Sequence, residues 1–266
     1  RNMEIISKLE KNNNINTMIL CAGRGKRMRY KTKYIAKPLI KVQNEPILKT
    51  NINYLSSIGI KNCINNNSYK YLTVQKFIKN YSYKYTIPKI YSSFEKERLE
   101  TGGGVKKALP IFNKKKMLII NGDSLLLRKP NSCPVKRLFK YFNSNYMSIL
   151  LLLVPISRSI GYYGGGDFII KSNSISSRIE RKKNNTSKNK FVFTGWQIIK
   201  KEIFDDINED NFSLNLLYNK AQSQNSLFAI TLEGYFLHVS TPKSIIQIER
   251  FLNINKKYLN EKNYIL

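Results

Sequence analysis

A small-residue loop with clustered positive charge lies near the start of the chain. Residues 20–27 read L-C-A-G-R-G-K-R and follow a short apolar run typical of a buried strand. Glycine lets the backbone approach phosphate closely, and the Arg27 guanidinium can hold phosphate oxygens through a bidentate fork. A tight turn between a strand and a helix explains the segment equally well. The third glycine of a dinucleotide fingerprint and the Gly-Lys-Ser/Thr ending of a P-loop are absent, which disfavours both classes.

Three further segments carry groups that suit phosphate or metal chemistry. Residues 99–104 read L-E-T-G-G-G and open a helical pattern, where side-chain-free residues let a base or ribose pack against backbone amides. Asp123 ends an apolar strand in the sequence N-G-D, the place where open α/β sheets put ligand groups. The single histidine, His238, lies near the end of the chain. Taken alone, each has an ordinary structural explanation: a glycine turn, a strand-end turn residue and a packed histidine.

The apolar patterns that must position these groups alternate between strands and helices. We predict strands at 17–21, 60–65, 89–92, 116–120 and 146–154, and helices at 45–58, 71–81 and from 105. This alternation is typical of βαβ units and predicts a mainly parallel sheet with helices on both faces. Later strands are predicted at 167–171, 178–181, 191–199 and 228–233, with an exposed basic loop at 181–190 and an amphipathic helix at 244–258.

The length of 266 residues suits one α/β domain. We expect an N-terminal extension over residues 1–16 and a single domain over 17–266. Within it, the nucleotide half spans about 17–145, the sugar-binding half about 146–242, and a C-terminal helix 243–260.

The net charge of +29 is spread along the chain, with abundant Asn, Ile and Tyr. Compositional bias explains this charge better than nucleic-acid binding, and attraction of anionic nucleotides is the alternative use of the positive field. Apolar runs are too short for a membrane helix, residues 1–16 lack the core of a secretion signal, and the three cysteines are widely spaced. We therefore expect a cytoplasmic protein, a monomer or small homo-oligomer, without nucleic-acid or membrane partners.

Lys37, in the sequence A-K-P-L, brings a resemblance to the sugar-1-phosphate nucleotidyltransferase family. The first loop and this segment resemble the family signature A-G-x-G-T-R-[ML] followed by P-K-P-[ML], with Lys26 in place of Thr and Ala36 in place of Pro. The glycine-rich stretch with the following K-A-L-P resembles the branch of N-acetylmuramate α-1-phosphate uridylyltransferases and mannose-1-phosphate guanylyltransferase-like proteins. Seven such segments occur in the family's order between about residues 16 and 252.

The resemblance implies roles for particular residues. The implied catalytic residues are Arg27, Lys37 and Asp123. The implied nucleotide-binding residues are Cys21, Ala22, Gly23, Gly25, Lys26, Arg27, Asn65, Thr101, Gly102 and Gly103. The implied sugar-binding residues are Asn121, Asp167, Thr194, Gly195 and Asn215. For Asn215, the alternative is a helix-core stripe with Ser213 near its start.

The implied metal site departs from the family pattern. Asp123 would be the main Mg²⁺ ligand, because a hard cation prefers carboxylate and phosphate oxygens. The closing segment G-Y-F-L-H-V-S-T-P resembles the family's W-x-D-V-G-T-P, and His238 occupies the position of the second metal-binding aspartate. Since imidazole suits softer ions, the expected cofactor is Mg²⁺, with Mn²⁺ or Co²⁺ as alternatives. His238 could instead hold a metal-bound water or a phosphate.

The implied fold is a three-layer α/β/α, Rossmann-like nucleotidyltransferase domain with a mixed, mainly parallel sheet. The implied reaction joins a nucleoside triphosphate to a sugar 1-phosphate and releases pyrophosphate, in nucleotide-sugar biosynthesis. UTP and N-acetylmuramic acid 1-phosphate, a cell-wall recycling pair, are the preferred substrates. GTP with mannose 1-phosphate is the alternative pair, and a degenerate, non-catalytic nucleotide- or nucleic-acid-binding protein is the alternative class.

Overall fold

A computed structural model describes residues 16–84, 88–129, 131–171, 175–181, 190–262 and 264–266. The predicted N-terminal extension and the predicted basic loop at 181–190 lie, apart from their end residues, outside these ranges.

The first part of the chain alternates strands and helices as the sequence predicts. Its strands are β1 (Thr17–Leu20), β2 (Lys41–Val42), β3 (Glu45–Pro46), β4 (Asn62–Asn67), β5 (Lys89–Phe94), β6 (Lys116–Asn121) and β7 (Ser124–Arg128). Its helices are α1 (Ile47–Ser57), α2 (Tyr71–Lys84), α3 (Glu100–Ala108) and α4 (Pro134–Tyr141). Helix α3 begins earlier than the predicted residue 105, so the three glycines lie inside it.

The later part is richer in strands. These are β8 (Ile149–Pro155), β9 (Ser159–Ile160), β10 (Phe168–Ile170), β11 (Ser177–Arg181), β12 (Phe191–Lys200), β13 (Leu227–Thr231) and β14 (Gly234–His238). The helices are α5 (Asn215–Ser223), α6 (Pro242–Ile254) and α7 (Lys256–Glu261). The prediction of a single C-terminal helix is wrong in one respect, because the helical segment is divided at Asn255.

A mixed sheet of nine strands forms the middle layer, in the order β10-β11-β13-β8-β12-β6-β1-β4-β5. Strand β1 runs parallel to β4 and β6, and β4 runs parallel to β5. Strand β12 is antiparallel to both β6 and β8, whereas β13 is parallel to β8. The parallel pairs around β1 bring the carboxyl ends of several strands to one edge, where α/β sheets bind ligands.

Both faces of this sheet are buried, which explains its continuous apolar runs. Along β8, Leu150 and Leu152 pack in one core, while Leu151 and Leu153 pack in the other. Helices α1, α2 and α4 contribute to the first core, and α3 and α5 to the second. The predicted three-layer α/β/α fold is therefore confirmed.

A small sheet that the sequence did not predict closes the remaining side. Its order is β7-β14-β9, and helix α6 packs beside it through Ile245 and Ile248. Strand β14 pairs with β7 so that His238 lies opposite Ser124. This pairing brings the end of the chain to the segment that follows β6.

Candidate functional site

The first loop, residues 21–25, leaves β1 with its backbone held and its cations exposed. The Cys21 amide donates a 2.7 Å hydrogen bond to the Asn66 side-chain oxygen. Gly25 has φ +61°, and a Cβ there would lie 3.0 Å from the Cβ of Lys37, so both conformation and space require glycine. Arg27 is exposed just beyond the loop. The loop can therefore present backbone and guanidinium groups to an anion.

Lys37 and Asp123 form a largely buried ion pair between the turn Lys37–Leu39 and the end of β6. The Lys37 ammonium donates to Oδ2 of Asp123, whose side chain is 32% exposed. Burial opposes ionisation of this carboxyl, but the adjacent Lys37, helped by His238, outweighs it and holds the pKa of Asp123 below its ordinary value. A carboxylate and an ammonium therefore face each other at the strand end. Both kinds of group suit phosphate chemistry that uses a metal cation.

His238, at the end of β14, lies between the rings of Tyr162 and Phe236, with centroid distances of 5.4 Å to each. Burial, only partly offset by Asp123, lowers the pKa of its imidazole to about 4. The imidazole is therefore neutral near pH 7. Within the described residues its Nδ1 is buried without a hydrogen-bond partner, which leaves a lone pair or a proton free for a ligand.

These donors fit a metal that takes most of its ligands from substrate and water. Among the described residues, no group of three or more His, Cys, Asp or Glu side chains could hold a metal ion. Mg²⁺ is commonly bound through one or two carboxylates together with substrate phosphates and waters, so Asp123 alone suits it. The free Nδ1 of His238 adds a nitrogen donor that a borderline ion such as Mn²⁺ or Co²⁺ would accept.

A pocket of about 540 Å³ opens beside this cluster, a size that suits a small-molecule substrate. Its lining comes from the turn after the first loop, the segment after β9, strand β12 and the end of β14. The lining residues are Arg27, Tyr162, Tyr163, Gly164, Asp167, Val192, Phe193, Phe236, His238, Ser240 and Thr241. A larger cleft of about 650 Å³ lies near the chain's C-terminal residues, lined by Glu249, Lys256 and Tyr264 among others, and contains none of the predicted site residues.

Asp167 is the predicted sugar-binding residue that the structure places in the pocket. Its Oδ2 accepts a 2.9 Å hydrogen bond from the Phe193 amide, and the Tyr162 hydroxyl donates to Oδ1 at 3.4 Å. Burial and the neighbouring Asp167 raise the pKa of Tyr162, which keeps its hydroxyl protonated. The sequence analysis did not select Tyr162 as a site residue, because its role depends on the contact with Asp167.

The segment of β12 beyond the pocket is irregular, because its pairing with β8 shifts between Phe193 and Gln197. Thr194 is fully buried, and its hydroxyl donates to the Leu152 carbonyl at 2.8 Å. The hydroxyl is therefore unavailable to a sugar, which corrects the prediction for Thr194. Gly195 has φ +84°, and a Cβ there would lie 2.7 Å from Nδ2 of Asn121. Gly195 and Asn121 thus pack on each other beside the strand end.

Asn215 lies at the exposed start of α5 and does not line the pocket. The preceding residue, Leu214, donates its amide to the Thr101 hydroxyl at 3.0 Å. The structure therefore places both Thr101 and Asn215 at a contact between α3 and α5. Direct contact of Asn215 with a sugar stays a prediction that this pocket does not support.

The glycines of α3 face protein atoms. The amides of Gly102 and Gly103 both donate to the Phe212 carbonyl, at 2.8 and 3.0 Å. A Cβ on Gly102 would lie 2.3 Å from the Phe212 ring, and one on Gly103 would lie 2.0 Å from the Asp210 carbonyl oxygen. Their absent side chains permit this close packing, and nucleotide binding by them stays a prediction.

Strand β4 reaches the first loop through Asn66, not through the predicted Asn65. Successive strand residues point to opposite faces. The Asn65 side chain donates a 2.6 Å hydrogen bond to Asn67 and accepts one of 3.0 Å from the Ser92 hydroxyl. The Asn66 side chain instead accepts the hydrogen bond from the Cys21 amide. The sequence analysis missed Asn66, for which the run of three asparagines in an apolar strand pattern was the signal.

Glu95, just after β5, is the second residue that the sequence analysis missed. Its side chain is buried and accepts from Asn66 Nδ2 at 2.7 Å and from the Leu99 amide at 3.2 Å. Burial, partly offset by these hydrogen bonds and by Lys107 and Arg98, raises the pKa of Glu95. A buried acid in this position connects the two glycine-containing segments.

The fold brings Lys37 and Asp123 together at the end of β6, with Arg27 in the lining of the neighbouring pocket. Residues 16–253 match the family described as nucleotidyl transferase, and the chain belongs to that family. It is a sugar-1-phosphate nucleotidyltransferase. Enzymes of this kind work with a divalent metal ion, usually Mg²⁺.

Relatives with different substrates are similar to this chain. N-acetylmuramate alpha-1-phosphate uridylyltransferase of Caulobacter vibrioides is 26% identical over 87% of this chain and 94% of its own length. D-glycero-alpha-D-manno-heptose 1-phosphate guanylyltransferase of Aneurinibacillus thermoaerophilus is also 26% identical, over 85% of this chain and 93% of its own. The solved structure of HddC from Yersinia pseudotuberculosis with GMP-PN shares the fold with a TM-score of 0.66 at 23% identity, covering 88% of this chain and 98% of its own.

Across the part of the chain that the structure describes, no helix has the length and apolar character needed to cross a bilayer.

Proposed function

We propose that this enzyme transfers a uridylyl group from UTP to N-acetylmuramic acid 1-phosphate and releases pyrophosphate. The full-length similarity to the Caulobacter uridylyltransferase and the L-E-T-G-G-G segment support this substrate pair. Such a reaction would return a cell-wall sugar to nucleotide-activated form in the cytoplasm.

The observation that carries the proposal is a pair of cations at the pocket: Arg27 in its lining, and Lys243 next to the lining residue Tyr163. N-acetylmuramic acid 1-phosphate bears a lactyl carboxylate in addition to its phosphate, so its pocket needs more than one cation. Arg27 lines the pocket, and Lys243 Nζ lies 5.6 Å from the ring centroid of Tyr163, which lines it too. Neutral sugars such as mannose have no second anion for Lys243 to attract.

The chain's residues divide the transfer reaction between them. An oxygen of the sugar phosphate attacks the α-phosphorus of UTP, the bond from this phosphorus to the β-phosphate oxygen breaks, and pyrophosphate leaves with that electron pair. Arg27 holds triphosphate oxygens, and Lys37 neutralises charge on the transferring phosphate. Asp123 holds the Lys37 ammonium in place, and no covalent enzyme intermediate is required.

Asp123 and His238 would hold the divalent ion. When bound, the ion neutralises phosphate charge during the transfer. Metal titrations distinguish a metal ligand from a residue that only packs. His238→Asp should shift the relative apparent affinity toward Mg²⁺ over Mn²⁺ by about tenfold, because a hard carboxylate replaces the imidazole nitrogen. His238→Asn is the matched control, and an identical metal profile in the wild type and both variants contradicts ligation by His238.

GTP is the competing nucleotide, because guanylyltransferases for heptose 1-phosphate and mannose 1-phosphate are also similar to this chain. A non-catalytic protein is less consistent with the structure. Arg27 remains exposed at the pocket, and Lys37 and Asp123 remain paired at the strand end. Random substitution would not preserve all three together.

Pyrophosphate release decides between these substrates. The four nucleoside triphosphates are tested against the 1-phosphates of N-acetylmuramic acid, N-acetylglucosamine, glucose, mannose and glycero-manno-heptose. We expect the highest kcat/KM for UTP with N-acetylmuramic acid 1-phosphate. Lys243→Met should raise the KM for this acceptor about tenfold, while leaving that for N-acetylglucosamine 1-phosphate unchanged. Preferential release from GTP with a mannose or heptose phosphate contradicts the proposal.

A further inference from the structure

A buried polar chain joins the first loop to the glycine-rich helix α3. The Cys21 amide donates to Asn66 Oδ1, Asn66 Nδ2 donates to Glu95 Oε1, and the Leu99 amide donates to Glu95 Oε2. These hydrogen bonds measure 2.7, 2.7 and 3.2 Å. Each donor meets an acceptor, so the chain has a defined direction.

The hydrogen-bond chain is buried, so Asn66 and Glu95 depend on each other as hydrogen-bond partners. Asn66 is 2% exposed and Glu95 is 1% exposed, so water cannot readily replace a lost partner. Among the ion pairs of the described residues, none within 4.0 Å involves the Glu95 carboxylate. Its anionic oxygens are thus satisfied mainly by an amide side chain and a backbone amide.

Helix α3 is packed directly against the same two groups. A Cβ on Gly104 would lie 2.7 Å from Asn66 Nδ2 and 2.7 Å from Glu95 Oε1. Leu99, the other end of the chain of hydrogen bonds, immediately precedes α3. Glu95 and Asn66 therefore lie between the first loop and the start of α3 and contact both.

We infer that Glu95, acting through Asn66, is a positioning residue that aligns the two loops for the nucleoside triphosphate and contributes little to acceptor binding. The inference rests on the proposed nucleotide site, whose two segments are the ones that this buried chain connects. Because Asn66 and Glu95 are both buried, they would influence nucleotide affinity through the position of the two loops.

Single substitutions break the direction of the hydrogen bonds. In Glu95→Gln, the new NH₂ group faces either Asn66 Nδ2 or the Leu99 amide, and rotation of Asn66 only moves the conflict to Cys21. In Asn66→Asp, two carboxylates face each other, and the conflict is greatest at pH 8, where a shared proton is disfavoured.

The double variant N66D/E95Q restores every donor and acceptor with one bond reversed. The Cys21 amide donates to the carboxylate introduced at position 66, the new amide side chain at position 95 donates to the same carboxylate, and the Leu99 amide donates to the oxygen of that amide. Net charge is unchanged. A double-mutant cycle therefore tests the hydrogen-bond chain while keeping the shape of both side chains.

The cycle is measured at pH 8 as the Kd of the nucleoside triphosphate, with the acceptor KM where turnover permits. We expect each single variant to weaken nucleotide binding at least tenfold with acceptor KM within twofold, and the double variant to return within threefold of the wild type. Tyr218→Phe, which removes a buried 2.9 Å hydrogen bond to Gln197, should lower the melting temperature without changing nucleotide Kd.

Unchanged nucleotide Kd in the single variants, equal losses for both substrates, or no recovery in the double variant would overturn the inference. If the wild-type enzyme binds the nucleotide but turns over no acceptor, only the proposed function is contradicted. The double-mutant cycle on nucleotide Kd then still tests the role of Glu95. A wild-type chain that binds no nucleoside triphosphate overturns both.

Discussion

We call the part of the site proposed for the nucleotide the nucleotide side and the part proposed for the sugar the sugar side, and the two are built in different ways. On the nucleotide side, parallel strands β1, β4 and β5 end at one edge, and Asn66 and Glu95 connect the segments that follow them. On the sugar side, the irregular antiparallel strand β12 and the small sheet of β7, β14 and β9 supply the walls. The first side follows the ends of neighbouring parallel strands, whereas the second depends on an irregular strand and on a separate small sheet.

Sequence motifs carry more spatial information on the first side than on the second. A loop between a strand and a helix has a geometry set by nearby residues, so Gly25 and Arg27 can be interpreted locally. A residue in an irregular strand points wherever the pairing places it, as Thr194 shows. Substitutions on the two sides should therefore differ in both size and kind.

The largest effect is expected at Asp123, on the nucleotide side. Asp123→Asn removes the charge that holds Lys37 and the principal candidate metal ligand, so kcat should fall at least about a thousandfold, or ~4 kcal/mol. Asp123→Ala should also lose stability, because it leaves the buried Lys37 without its partner. Pyrophosphate release and urea unfolding measure the two effects.

Asp210→Asn is the matched control for Asp123, because Asp210 is an exposed carboxylate paired with Lys106. It should leave kcat within twofold of the wild type. Retention of more than about a tenth of the activity by Asp123→Asn, a loss below ~1.4 kcal/mol, would show that Asp123 is not the principal ligand.

Arg27 belongs to both sides, since it follows the first loop and also lines the pocket. Arg27→Ala should lower kcat/KM for the nucleoside triphosphate by about 10- to 100-fold, or ~1.4 to 2.7 kcal/mol, because an exposed fork for phosphate oxygens is lost. Arg24→Ala, in the same loop but outside the pocket lining, should have a much smaller effect. Steady-state kinetics showing equal losses for the two arginines would make general attraction of anions the explanation.

His238 links the two sides, and its buried imidazole gives a pH-dependent effect on stability. Its pKa is about 4 in the folded protein and near 6.5 when unfolded, so the unfolded chain binds more protons between these values. Its contribution is present above pH 6.5 and is lost as pH falls toward 4. Between pH 7 and pH 5 this amounts to about 2 kcal/mol of unfolding free energy.

The measurement for His238 is urea unfolding of the wild type and of His238→Asn at pH 7 and pH 5. Asparagine does not titrate, so the variant should lose about 2 kcal/mol less than the wild type over this range. Parallel pH profiles for the two proteins would show that the imidazole is not held neutral by burial.

The smallest effect is expected at Thr194, on the sugar side. Thr194→Val removes the hydroxyl that donates to the Leu152 carbonyl and should cost about 1 kcal/mol of unfolding free energy. Acceptor KM should not change, since the hydroxyl is turned away from the pocket. Asp167→Asn is the comparison variant on the pocket wall, and a larger KM increase for Thr194→Val than for Asp167→Asn would reverse the assignment of the two residues.

The family, the alternation of strands and helices, and the candidates Arg27, Lys37 and Asp123 could be predicted from the sequence. The alternation follows from apolar periodicity, whereas the three candidates follow from the family resemblance of the segments that contain them. Their order along the chain carried the resemblance, and the family comparison bears it out.

Which side chains contact one another depends on the tertiary structure. Asn66 and not Asn65 reaches the first loop because neighbouring strand residues point to opposite faces. The β12 irregularity turns Thr194 inward, and the pairing of β14 with β7 brings His238 beside Asp123. Burial depends on every element packed around a group, so neither the neutral His238 nor the buried Glu95 could be derived from local sequence.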